Sequence, residues 1–560
     1  MKLGLLTMLV VLTAAASAAA APARVGSRID VSVPDPLPHG CGGRTFPGGD
    51  FEPHAAVDPH NPSRIAVAWI EGTGVTIAVA STRDGGRTWQ RALVPGIRCT
   101  GDARATTTGD PWLSFGPHGV LYLTAGSVHG TRDPAGTERL ATVVASRSRD
   151  GGRTWSRATV VSDDNQFNDK MAITADPARA GHAWIVWTRG REGPEFVSGD
   201  VRISETHDGG RTWSPSHVIL ETLPEPDRYP WGATLRVLPG GRLLAVTMVW
   251  QPVGITELPV PARGNFDAMA VRSSDGGATW SAPVRIAQVP AAAVTDPDTG
   301  QKVRANEGTS LEVGPDGTAY ATWWEHSPTG QARVVLSASH DGGATWSEPR
   351  VVGSSTGTGF LPALAVQHDG TIGVTYYDIR HDRRGDGPFT TELRFAHSHD
   401  GGTTWADTRL TGTFDLRTAQ TVQGGLYLGD YFGLAVTPAG FVSVPALPHP
   451  FSRDGTSDIF AIPIALERAQ PRLRIAVRPR STRVGRRTRF AFRVTAGRGA
   501  GRRISGALVR FAGRSASTDR RGQAKIVATL KRAKRYHATA TKRGYVRGRA
   551  TIRGVPQLDR

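Results

Sequence analysis

An eight-residue unit recurs six times in this chain of 560 residues, and no other feature restricts its fold as strongly. The copies occupy residues 82–89, 148–155, 206–213, 273–280, 339–346 and 398–405. Their aspartates, Asp84, Asp150, Asp208, Asp275, Asp341 and Asp400, fall 66, 58, 67, 66 and 59 residues apart. A period of about sixty marks a repeated supersecondary unit. Each copy reads as a hairpin tip. The Asp carboxylate accepts backbone N–H groups across its own turn, the paired glycines permit positive φ, and Thr-Trp restarts a strand with the indole folded over the turn.

Two strand-like runs precede each copy and a third leads into it. In the first repeat these are residues 55–57, 64–69 and 75–80, with the turn Asp58-Pro59-His60-Asn61-Pro62 between the first two. Seven such first turns accompany six copies of the unit, because the last repeat, from Gly429 to the run 458–464, has no copy and no fourth strand. The run 28–34, just upstream of repeat one, is the expected donor of that strand. Pairing the two ends closes a ring and removes exposed sheet edges.

The pattern Ser/Thr-x-Asp-x-Gly-x-Thr-Trp resembles the Asp-box of the sialidase (neuraminidase) superfamily. The resemblance implies an all-β chain built as an Asp-box β-propeller. Seven blades are expected from the turn count, with six, the number in the superfamily's sialidases, as the alternative. In that family the box staples blades and lies away from the active site, so function is sought at the opposite rim, where first strands start and second strands end. Those positions hold Glu52, His54, Asp110, Trp112, Asp169, Lys170, Arg228, Tyr229, Trp231, Glu307, Asp430 and Tyr431, then Glu71, Arg189, Trp250, Glu325, Asp378 and Arg380. Carboxylates, arginines and aromatic faces gathered on one rim suit a carbohydrate.

Sialidases use a Tyr nucleophile with a Glu partner, an Asp acid/base and three arginines on the substrate carboxylate. Matched by chain order, the resemblance implies Asp110 as acid/base, Glu307 as the partner of Tyr431, and Arg189, Arg228 and Arg380 as the clamp, with Trp112 and Trp231 against the substrate. Tyr376 and Tyr377 compete with Tyr431, and the family's early Arg-Ile-Pro is replaced by Phe51-Glu52-Pro53-His54. The function this implies is glycoside hydrolysis on a sialylated or other acidic glycan. A second reading pairs two carboxylates, Asp110 with Asp169, Asp378 or Asp430. The third is a non-catalytic propeller that binds a glycan or another surface ligand.

Residues 1–20, with Lys2 ahead of the apolar run 3–12 and an Ala/Ser-rich end, read as a secretory signal peptide, and no other segment approaches a membrane span. A secreted protein is therefore expected. In an oxidising compartment Cys41 and Cys99 read as a disulfide. Residues 21–466 are assigned to the propeller and 467–560 to a second domain. Charge separates the two: residues 466–560 hold 28 Lys and Arg against 3 Asp and Glu, leaving 39 against 46 in the rest. Runs such as 472–478 and 488–494 alternate apolar residues with arginine and resemble a bacterial immunoglobulin-like module, a small basic β-sandwich. Its expected partner is an anionic cell-surface polymer rather than nucleic acid. No cofactor or metal is expected: His207, His340 and His399 sit at variable box positions and read as solvated, and Asp296-Pro297-Asp298 lacks the remaining ligands of an EF-hand.

Overall fold

The computed structural model describes residues 21–34, 49–72, 74–129, 140–162, 164, 166–192, 196–222, 228–252, 264–290, 293–305, 308–327, 330–353, 358–385, 387–422, 424–452, 456–466, 473–496, 502–542, 545 and 547–556. The leader-like segment 1–20, Cys41 and Glu307 lie outside them. Two compact units meet at the 466/467 boundary. Among the described residues no helix is long and apolar enough to cross a membrane.

The larger unit is a β-propeller of antiparallel meanders. Its first blade runs Phe51–Val57, Ile65–Glu71, Thr76–Thr82 and Gln90–Leu93 from inside to outside. The next five blades repeat that order from the inner strands Ala105–Phe115, Phe167–Ala175, Tyr229–Val237, Ser310–Val313 and Gly359–Val366. A seventh sheet starts at Gly433–Thr437 and continues through Gly440–Val444 to Asp458–Ala465. Its outer edge is supplied by the chain start: Arg24 and Val25 pair with Ala465 and Ile464, and Ile29 and Asp30 with Ala461 and Phe460. Of the expected donor run 28–34 only Ile29–Asp30 pairs as strand, and Arg24–Val25, just upstream of it, supplies the rest of the edge. First and last inner strands touch, since a Cβ on Gly433 would lie 2.8 Å from that of Ala55. Middle strands are almost wholly apolar and buried between neighbouring blades, as in Ile65–Glu71, so burial of both faces fixes the blade stacking.

The Asp-boxes form as the sequence implies. In the last one, Asp400 Oδ1 accepts N–H groups of Thr403 at 3.1 Å and Thr404 at 2.9 Å, while its Oδ2 accepts the Thr404 hydroxyl at 2.7 Å. Trp405 Nε1 donates to Gly402 O at 3.2 Å. Trp89, Trp155 and Trp280 make the same bond, whereas the Trp213 and Trp346 indoles do not. Two of the boxes also hold the preceding blade: Arg147 donates to Gly209 O at 2.7 Å and Trp184 to Gly276 O at 3.2 Å.

The smaller unit is a β-sandwich. One sheet contains Leu473–Arg478, Arg487–Ala496, Arg502–Arg503 and Gln523–Thr529, the other Ser481–Arg483, Gly548–Val555, Arg535–Thr541, Leu508–Phe511 and Arg514–Ser517. Period-two alternation drives Phe490, Phe492, Val494, Phe511 and Ile526 into one core and leaves arginines outside.

Candidate functional site

All seven inner strands line one channel of about 670 Å³. Near the start of five of them the pairing slips: between Phe51 and His54, Gly109 and Trp112, Asp169 and Ala172, Trp231 and Thr234, and Phe360 and Ala363. Each slip is a β-bulge, which re-aims a side chain away from the pleat. The bulged position has positive φ in every case, at Glu52 (53°), Asp110 (52°), Lys170 (54°), Gly232 (61°) and Leu361 (50°). A non-glycine residue there costs of order 1–3 kcal/mol, and three of the four non-glycine residues are ionisable.

Those three converge. Lys170 Nζ lies 3.0 Å from Asp110 Oδ1, 3.7 Å from Glu52 Oε1 and 2.5 Å from Asp430 Oδ2. Arg304 adds a second cation, 3.2 Å from Asp430 Oδ1 and over the Tyr427 ring. Tyr427 donates its hydroxyl to Glu52 Oε1. Gly429 lets the Asp430 segment approach, since a Cβ there, at φ 116°, would lie 2.8 Å from the Glu52 nitrogen. Four carboxyl groups, including Asp169 beside Asp110, thus share two cations. Burial pushes the Glu52 carboxyl up to about 8, and the charges of Asp110 and Asp430 add to it against the pull of Lys170. Asp169 rises to about 7 through burial and its hydrogen bond with Asp110. Burial would raise Asp430 as well, but Arg304 and Lys170 outweigh it and hold it low. At neutral pH the cluster therefore contains both a carboxylic acid and a carboxylate.

Aromatic faces wall the mouth. His54 stacks on Trp112 at 4.0 Å, Trp112 meets Tyr431 at 5.1 Å, and Lys170 Nζ lies 5.9 Å from the Trp231 ring centre. His54, Trp112, Lys170, Trp231, Asp430 and Tyr431 all line the channel.

Of the residues expected at the site, Asp110, Trp112, Trp231 and Tyr431 meet here. The Tyr431 hydroxyl donates to Pro111 O at 3.0 Å and burial holds it well above an ordinary phenol, so it is a neutral donor in this geometry. Tyr377 is likewise spent on Ala446 O at 2.8 Å and Tyr376 on Asp407 at 2.6 Å. The three arginines are not brought together in the channel lining. Each meets a carboxylate near its own blade: Arg189 with Asp200 at 2.6 Å, Arg228 with Asp267 at 4.0 Å and Arg380 with Asp378 at 2.6 Å. Glu52, Asp169, Lys170 and Asp430 stand in the expected polar ring but drew no chain-order role. Arg304 and Tyr427 precede the strand starts used to build that ring, and only the tertiary fold reveals them.

The fold is a β-propeller whose blades carry Asp-boxes. Residues 181–423 match the family described as a BNR repeat-like domain. A myxobacterial hemagglutinin of Myxococcus xanthus is 26% identical over 198 residues, 31% of this chain and 63% of that protein. The chain therefore spans a little under two thirds of the length of the curated relative it matches. Among solved structures, an alpha-L-arabinanase of Penicillium chrysogenum complexed with arabinobiose shares 16% identity at a TM-score of 0.41, over 63% of this chain and 94% of its own. The NanB sialidase of Streptococcus pneumoniae shares 11% at 0.42, over 72% and 83%. A PL25 ulvan lyase shares 12% at 0.46, over 75% and 95%.

Proposed function

We propose that the propeller acts on glycans at the Lys170 end of its channel and hydrolyses a glycosidic bond there. The observation that carries this reading is the convergence of Glu52, Asp110 and Lys170 from strained bulges of three successive blades. A channel that only had to be filled would use apolar residues at lower cost. Glycoside hydrolysis needs one carboxyl group that donates a proton to the leaving oxygen and a second that acts as carboxylate on the opposite face. Asp169, half-buried and raised to about 7, is the donor in this reading, and Asp430, which Arg304 and Lys170 hold as a carboxylate, is the second group, because Asp110 is hydrogen-bonded to Asp169 and cannot face it across a sugar. Trp112 and Trp231 offer ring faces to the sugar.

A sialylated or other acidic glycan is the finer reading that the family resemblance supports. Arg189, Arg228 and Arg380 are engaged elsewhere, so this reading does not assign them to a substrate carboxylate. Secretion belongs to the same proposal and rests on residues 1–20. The second reading is glycan binding without turnover. It is favoured by the ammonium that already fills the space between the carboxylates, and by the curated relative, whose name denotes a hemagglutinin.

Purified full-length protein on a panel of fluorogenic sialosides and arabinosides, between pH 4 and 8, separates these readings. Turnover that disappears in Asp169→Asn supports hydrolysis. Inactivity on the whole panel, together with retention on a glycan array that Trp231→Ala abolishes, replaces hydrolysis by binding.

For the smaller unit we propose docking on an anionic polymer. Arg474, Arg478, Arg487, Arg489, Arg493 and Lys525 are exposed on one face of one sheet, in register across three strands.

A further inference from the structure

The third blade carries a second cluster, at the Asp-box end of its strands and unused by the reading above. Ala183 pairs with Thr206 and Trp184 with Glu205, so His182 stands across from His207 with Glu205 diagonal to it. His182 Nε2 lies 3.2 Å from Glu205 Oε2, and His207 Nε2 lies 3.3 Å from Glu205 Oε1. The two imidazoles stack with centroids 4.3 Å apart, and one ligand atom from each of the three residues falls within 4.8 Å of the others. We propose that His182, Glu205 and His207 bind a divalent transition-metal ion of the zinc class.

The geometry fits such an ion in three respects. Tetrahedral zinc with nitrogen and oxygen ligands at about 2.0–2.2 Å holds them roughly 3.4 Å apart, and both imidazole-to-carboxylate separations are already close to that. Both Nε2 atoms aim at the same carboxylate, so an ion entering between them replaces two N–H donors by two lone pairs. Asp176 Oδ2 stands 3.9 Å from His182 Nδ1, too far for a hydrogen bond but close enough to set negative charge behind a ligating ring. Two nitrogens and one carboxylate select zinc, copper or nickel over calcium and magnesium, which prefer oxygen alone. His207 is 68% exposed, which leaves the fourth position open to water.

The other boxes show what is special here. His340 and His399 occupy the same box position as His207, but their Nδ1 atoms face hydroxyls, Thr318 at 3.1 Å and Thr371 at 2.9 Å. The residue two before each histidine is Ala338 or His397 where the third blade has Glu205. A box histidine alone does not make this set.

Titration of full-length protein with zinc chloride by calorimetry tests the site, with cobalt(II) as a visible-band reporter. One ion per chain is expected, with affinity reduced about tenfold or more in His207→Ala and in Glu205→Gln, unchanged in His340→Ala, and with the cobalt band lost in the first two. His207 is exposed, so its replacement leaves the fold intact. Equal binding by wild type and His207→Ala, or no heat and no cobalt band in wild type, overturns the proposal. Neither result bears on glycan turnover at Lys170.

Discussion

Lys170 Nζ lies 2.5 Å from Asp430 Oδ2, although the two residues are 260 positions apart. The ammonium is what allows Asp110, Glu52 and Asp430 to share one end of the channel. Lys170→Met leaves buried carboxylates without that partner, a loss of about 3–5 kcal/mol. Asp430 is held below its ordinary value, so its contribution is present above an unfolded pKa of about 3.9 and lost as pH falls through the folded one. Urea titrations are therefore expected to show a large deficit for Lys170→Met at pH 7 and a progressively smaller one as pH falls below about 3.9.

Glu52 and Asp169 have the opposite sign. Their folded values, about 8 and about 7, lie above the unfolded ones, so the native state holds more protons between roughly pH 4 and 8. Stability from these groups falls as pH rises through that window. Glu52→Gln removes one of the two titrations, and its melting temperature should decline less steeply than that of wild type from pH 5 to 8.

Removing a box carboxylate should separate stability from activity. Asp400→Ala loses the two backbone N–H bonds and the Thr404 hydroxyl, a cost of roughly 1–3 kcal/mol in chemical denaturation. The box lies on the opposite rim from Lys170 and in a different blade, so glycan turnover or binding by the folded variant is expected to stay at the wild-type level.

The arginine face of the smaller unit predicts salt-dependent retention on an immobilised polyanion. Arg489→Glu together with Arg493→Glu reverses two charges at its centre and should lower the salt needed for elution, whereas unchanged elution would assign those arginines to solvent alone.

How much of the fold was legible follows from the range of the interactions involved. An Asp-box is local: its carboxylate reaches residues three and four positions on, so its sequence pattern carries its geometry. The same holds for the alternation in 487–496, where one face is arginine and the other Phe490, Phe492 and Val494. The channel cluster is not local. The positive φ at Glu52, Asp110 and Lys170 belongs to bulges, and a bulge depends on a partner strand that no short window of sequence contains.

The sequence by itself determined the repeat, the rim that carries the turns, and the charge contrast between the two units, because these follow from hydrogen bonds and side-chain periods spanning a few residues. It also marked Asp110, Trp112, Trp231 and Tyr431 as rim residues, since strand starts can be counted. Tertiary structure alone decided that Lys170 unites Glu52, Asp110 and Asp430, that Arg189, Arg228 and Arg380 are taken up separately, and that His182 faces His207 across a strand pair. Those outcomes depend on ring closure and register, which place groups tens to hundreds of residues apart within a few ångströms.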